Sequence, residues 1–178
     1  FKIIAFLLHL HQYRVTIRNF YTIYRMSKEL THLNQNGEVT MVDVSGKVML
    51  HRVATASATF SASEETIDKV MSGNLPKGEA CSTARIAGIL AAKNTDCLIP
   101  LCHSLPIEHV DVEFHRASST SIEIQAKVTV NAKTGVEMEA LSAATTAALT
   151  LWDMTKAVDK NLSINNVVLL SKTKMSVT

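Results

Sequence analysis

Asp153 and Lys156 are the most unexpected charges in this sequence. They follow an apolar stretch running from Ala140 to Trp152, and their i, i+3 spacing sets both on one face of a helix. Burying two opposite charges is rarely done for stability, because desolvation offsets most of the Coulomb gain. A chemical role is therefore expected ahead of a structural ion pair. A lysine held beside a carboxylate can bind phosphate, or act as an acid once its pKa is tuned. Glu137 and Glu139 flank Met138 where the same stretch begins. They are either acids favoured by a helix N-terminus or carboxylates able to bind ring N–H groups and move protons. Lys77, in Pro76-Lys77-Gly78-Glu79, reads alone as a solvated loop cation. His103 closes the run Ile99-Pro100-Leu101-Cys102, either as a hydrogen-bonded core residue or as a proton carrier near neutral pH.

Cys97, Cys102 and His103 raise the question of a metal. They lack a C-x-x-C knuckle, and adjacent Cys102 and His103 would point apart on any regular backbone. Buried free thiols are the expectation, with no metal and no cofactor. The sequence holds no Walker A loop, no G-x-G-x-x-G and no G-x-S-x-G.

Hydrophobic periodicity predicts the elements that position these groups. His51–Phe60 alternates with Ala54, Ala56, Ala58 and Phe60 on one face, which predicts a strand. Ser61 to Glu65 opens a helix that Gly73-Asn74-Leu75-Pro76 stops. A second helix is predicted over Ser82–Lys93, with Ala84, Ala87, Gly88 and Ala91 permitting close packing. Ile107–His115 and Ser121–Val130 alternate cleanly and predict an antiparallel hairpin with one solvated face. A long helix over Met138–Val158, apolar nearly all round, is expected to be buried. A last strand is predicted over Ser163–Leu170. The order β-α-α-β-β-α-β implies an α+β, ferredoxin-like fold: a mostly antiparallel sheet with helices packed on one face.

The 178 residues are 47% hydrophobic and 19% charged, a globular composition, and a net charge of +2 offers no nucleic-acid surface. That average conceals an asymmetry. Residues 1–25 contain Lys2, Arg14, Arg18 and Arg25 and no acid; the remaining fourteen cations face sixteen acids. The apolar run Ile3–Leu8 is too short to span a bilayer. A basic, acid-free stretch suits a mitochondrial transit peptide, a linker, a fusion remnant or translated upstream sequence alike. The expected organisation is an extension over 1–27 and one domain over 28–178. The odd number of cysteines suggests reduced thiols in an intracellular setting, the mitochondrial matrix if 1–25 is a transit peptide and the cytoplasm otherwise.

Several blocks carry a family resemblance: Met41-Val42-Asp43-Val44-Ser45, Thr83-Ala84-Arg85-Ile86-Ala87-Gly88-Ile89, Leu98-Ile99-Pro100-Leu101-Cys102-His103, Lys133-Thr134-Gly135-Val136-Glu137-Met138-Glu139-Ala140-Leu141 and Trp152-Asp153-Met154-Thr155-Lys156-Ala157. From about Leu30 to Lys172 the chain resembles the cyclic pyranopterin monophosphate synthases, the molybdenum cofactor biosynthesis protein C family. The resemblance implies a lyase that converts 3′,8-cyclo-7,8-dihydroguanosine triphosphate to cyclic pyranopterin monophosphate and diphosphate. It implies Asp153, Lys77 and Lys156 as catalytic residues. It also implies substrate contacts from Leu101, Cys102, His103, Glu137, Met138 and Glu139, with Lys172 reaching the phosphates. A homohexamer, a trimer of dimers with sites at subunit interfaces, is implied as well. Two positions depart from the family pattern. Ser104 follows the Leu-Cys-His triplet where proline is common, and the tail reads Lys172-Thr173-Lys174-Met175-Ser176 in place of Lys-Ser-Gly-Gly-Lys. The rival readings are a non-catalytic oligomeric binding protein of the same fold and a metal-dependent hydrolase built on Cys97, Cys102 and His103.

Overall fold

The structure is a computed structural model that describes Leu33 and residues 36–177. The basic stretch 1–25, with its targeting reading, lies outside the described residues. Contacts divide the chain into two compact units, Phe1–Val42 and Asp43–Thr178. Within the first, Leu33 and Val39 form an antiparallel bridge.

The second unit carries the predicted order of strands and long helices. It comprises β1 (Leu50–Ser61), α1 (Glu64–Met71), α2 (Ala80–Lys93), the short α3 (Thr95–Leu98), β2 (His109–Ser118), β3 (Ser121–Ala132), α4 (Glu137–Thr155) and β4 (Ser163–Ser176). The four strands form one antiparallel sheet in the order β2-β3-β1-β4. This is the α+β, ferredoxin-like layout. The core is the inward set of the central strands, Ala54, Ala56, Ala58 and Phe60 from β1 with Ile122, Ile124, Ala126, Val128 and Val130 from β3, all buried. Among the described residues no helix is long and apolar enough to cross a membrane.

Local chemistry sets the element ends. Ser63 caps α1, its Oγ accepting from the Thr66 N–H, and Glu64 and Glu65 occupy the first turn. α2 begins two residues earlier than its sequence pattern predicts. The Glu79 carboxylate accepts from the N–H groups of Cys81 and Ser82 and caps the helix there. α2 crosses α4 closely at Gly88, where a Cβ would stand 2.9 Å from the Ala143 carbonyl oxygen. α4 stops at Thr155, short of the expected Val158, because Val158 and Asp159 turn back and donate to the Thr155 carbonyl.

β4 runs six residues past its predicted end. It pairs with β1 along its length, from Ser61↔Ser163 to Leu50↔Ser176, with irregularities between Thr55 and Ala56 and between Ser57 and Thr59. Asn166 lies in the irregular region at φ 50°, a conformation that asparagine tolerates. Burial of α4 is also narrower than expected. Ala140, Ala143, Ala144, Ala147, Ala148 and Leu151 are buried, but Leu149 is 55% exposed and Trp152 37% in this single chain. The apolar stripe faces the sheet and α2.

Candidate active site

α4 carries predicted site residues at both of its ends. At the C-terminal end, Asp153 sits between two lysines. Lys156 Nζ is 2.5 Å from Asp153 Oδ1, and Lys77 Nζ is 3.2 Å from Oδ2. Lys77 also donates to the Asp153 backbone carbonyl at 2.6 Å. Backbone conformation brings Lys77 there. Leu75 is buried, Gly78 donates its N–H to the Leu75 carbonyl at 2.9 Å, and Gly78 itself adopts φ +96°, a region that L side chains rarely enter. Hydrogen bonds from Lys156 and Lys77 hold the Asp153 pKa below its ordinary value. Asp153 is thus an ionised carboxylate between two cations.

The burial expected of this pair is not what the fold delivers. The side chains of Asp153 and Lys156 are 58% and 57% exposed, because both lie on the outward side of α4 while neighbouring Leu151, Met154 and Thr155 are buried. Neither charge is therefore substantially desolvated in the isolated chain. What distinguishes them is the second lysine, brought from 76 residues away.

The N-terminal end of α4 presents a different chemistry. Lys172 Nζ donates to Glu137 Oε1 at 2.9 Å. Burial opposes ionisation of Glu137, but that ammonium outweighs it and its pKa falls below the ordinary value. Gly135 is required for this placement, since a Cβ there would collide with the Glu137 carboxylate. Glu139 points the other way. It is only 4% exposed, and burial, reinforced by Glu137 and Asp96, pushes its pKa up to about 7. Burial, and then the negative field of Glu139 and Asp96, raises the Cys102 thiol. The Leu101-Cys102-His103 segment is thereby placed beside the start of α4, with all three residues half-buried, while Met138 is exposed at 37%.

A cleft of about 200 Å³ adjoins this end. Arg52, Ala54, Gly135, Glu137, Lys172 and Lys174 contribute to its walls. Arg52 is fixed by donating Nε to the Ala132 carbonyl at 3.0 Å and a terminal nitrogen to the Lys133 carbonyl at 3.1 Å. Sequence reasoning missed Arg52 and Lys174. Arg52 was within reach of it, because it shares the inward parity of Ala54, Ala56 and Ala58, where a charge is out of place.

The predicted site residues therefore form two groups, not one. Lys77, Asp153 and Lys156 meet at one end of α4. Glu137 and Lys172 meet at the other, near Glu139 and Cys102. At a rise of 1.5 Å per residue, Glu137 and Asp153 lie about 24 Å apart on the same helix. The length of α4 thus holds the two groups well apart within one chain. Among the described residues no three His, Cys, Asp or Glu side chains converge as a metal site needs. The expectation of buried thiols is corrected in part: Cys97 is exposed on the short α3, and Cys81 and Cys102 are half-buried.

The model of the MoaC family matches residues 41–174. Proteins named cyclic pyranopterin monophosphate synthase are similar over most of their length. The one from Peptoclostridium acidaminophilum is 46% identical over 145 residues, covering 82% of this chain and 92% of the relative. That of Thermomicrobium roseum is 48% identical over 145 residues, 81% of this chain and 87% of the relative. That of a Nostoc species is 49% identical over 148 residues, 83% of this chain and 88% of the relative.

Proposed function

The chain belongs to the MoaC family, and from that premise we propose that it catalyses the cyclic pyranopterin monophosphate synthase reaction of molybdenum cofactor biosynthesis. The substrate would be 3′,8-cyclo-7,8-dihydroguanosine triphosphate, and the products cyclic pyranopterin monophosphate and diphosphate. The observation that carries this reading is the grip of Lys77 and Lys156 on Asp153. A carboxylate kept ionised between two ammonium groups can accept a proton while the lysines balance charge on a polyanionic substrate.

The chemistry divides naturally between the two groups of residues. Ring opening and pterin closure need proton transfers at nitrogen and carbon. Asp153 supplies a base, and Glu139, titrating near neutrality, supplies a group able both to give and to take a proton. Cyclic phosphate formation needs a sugar hydroxyl oxygen to attack the α-phosphorus. One P–O bond forms, the bond to the bridging oxygen breaks, the hydroxyl proton passes to a base, and diphosphate leaves. Lys172 and Arg52 suit the phosphate side of that step. Leu101, Cys102, His103 and Met138 would line the pterin side.

The separation of the two groups along α4 supports a site assembled from two copies of the chain. Exposed apolar side chains support the same reading: Ile86 and Leu90 on α2, Leu149 and Trp152 on α4, and Val167 to Leu170 on β4. A homohexamer built as a trimer of dimers would cover these faces and unite the groups. Residues 1–27 enter this proposal as an extension outside the catalytic domain. The relatives named above are bacterial, which weighs against a mitochondrial setting. The test is incubation of the purified chain with the cyclic dihydroguanosine triphosphate, with product followed by mass spectrometry and diphosphate release. Stoichiometric pterin and diphosphate are expected. A chain that binds the substrate and leaves it unchanged would instead be a non-catalytic binding protein.

A further inference from the structure

Lys174 is a cation to which the roles above give no task. It lines the cleft with Arg52, Lys172 and Glu137. In the β1–β4 register it stands opposite Arg52, and Lys172 stands opposite Ala54, so both lysines lie on the face of the sheet that Arg52 shares. The three cations differ in freedom. Arg52 is tied to two carbonyl oxygens, and Lys172 is paired with Glu137. Among the described residues the side chain of Lys174, alone of the three, has no hydrogen-bond or ion-pair partner. Three cations against one carboxylate leave a surplus of positive charge that suits an incoming anion. Two positions on one face of a strand are about 7 Å apart. Their flexible side chains extend from the same face, so Lys172 and Lys174 can each reach a different phosphoryl group of one phosphate chain.

We propose that Lys174 is a specificity-determining residue that selects a linked phosphate chain over a single phosphate. It would act by engaging the phosphoryl group beyond the one held by Lys172. The inference rests on the reading of the substrate as a triphosphate. Calorimetric titration of the full chain with inorganic diphosphate and with inorganic phosphate tests it directly. Lys174→Ala should weaken diphosphate binding about fivefold, the value of one partly solvated charge contact. It should change phosphate binding less than twofold, and Lys174→Arg should restore diphosphate affinity. In turnover, KM for the triphosphate should rise by a similar factor, with kcat within twofold. Lys174→Gln repeats the measurement should alanine loosen the edge strand. Unchanged diphosphate affinity in Lys174→Ala and Lys174→Gln would overturn the proposal. Failure of the wild-type chain to form the pterin would count against the reaction assigned above, and the diphosphate titration would read separately from it.

Discussion

Lys77 holds Asp153 by two atoms at once, donating to the backbone carbonyl at 2.6 Å and to Oδ2 at 3.2 Å. The backbone contact fixes the ammonium even when the carboxylate turns toward a substrate. Asp153→Asn, Lys77→Ala and Lys156→Ala should each lower kcat by a factor of a hundred or more, in the range for losing a positioned acid, base or charge. All three side chains are exposed, so circular dichroism and the thermal transition should be close to wild type. Near-normal turnover in all three variants would remove this cluster from the mechanism.

The two ends of α4 lend themselves to a mixing experiment. Lys156→Ala disables one group of residues and Glu139→Gln the other. If each site draws one group from each of two copies, the variants should be inactive separately. Co-refolding them in equal amounts should return about a quarter of wild-type activity, the random share of sites with both intact halves. A site contained within one chain would give no recovery.

Much of the fold was legible because its strands obey a period of two and its helices carry small residues where they cross. The inward alanines of β1 and Gly88 of α2 lie where their pattern put them. β4 was legible only in part. Its second half pairs with β1 through the backbone while its side chains stay exposed, so hydrophobic alternation gives no signal there. The candidate site was legible as a set of residue types but not as a geometry. Asp153 drew notice as a charge expected to be buried, yet it is exposed and gains its interest from Lys77. A contact between a loop and a helix end so far apart in sequence leaves no local pattern.

Glu139 should make stability depend on pH in a particular direction. Its folded pKa of about 7 lies above the ordinary carboxylate value of 4.5. The native state therefore keeps the proton longer than the unfolded chain. The contribution is fully present below pH 4.5 and is lost as pH rises through 7. Glu139→Gln removes the titrating group, so denaturant titrations should find it gaining on wild type between pH 5 and pH 8, by a few kcal/mol at most. A constant difference across that range would show that Glu139 ionises normally. The same group should give the wild-type kcat profile an inflection near neutrality.

Gly88 tests the crossing of α2 on α4. A Cβ there meets the Ala143 carbonyl oxygen at 2.9 Å, Val112 Cγ2 at 3.3 Å and the Ala147 methyl at 3.4 Å. The first of these belongs to helix backbone and has no room to yield. Gly88→Val should therefore cost about 3 kcal/mol, measured by urea denaturation, through overpacking that separates the helices. A transition midpoint within error of wild type would mean that the two helices pack more loosely than these distances require.

Asp159 ties the turn after α4 to the start of α1, accepting from the N–H of Ser63 at 2.8 Å and from that of Asn161 at 2.8 Å. These hydrogen bonds, led by that from Ser63, push its pKa far below the ordinary value. The contribution is present above the unfolded carboxylate pKa and is lost as pH falls toward the folded one. Asp159→Ala leaves two backbone donors short of a partner, at about 1 kcal/mol each. The variant should be less stable than wild type at pH 7, and the gap should narrow as pH drops below 4. Because Asp159 lies near the Lys156 turn, the substitution should also loosen the Asp153 cluster and lower kcat several-fold, with diphosphate affinity at the opposite end of α4 unchanged. A stability gap that stayed constant from pH 7 down to pH 2, with no narrowing, would assign the effect to packing and not to the carboxylate.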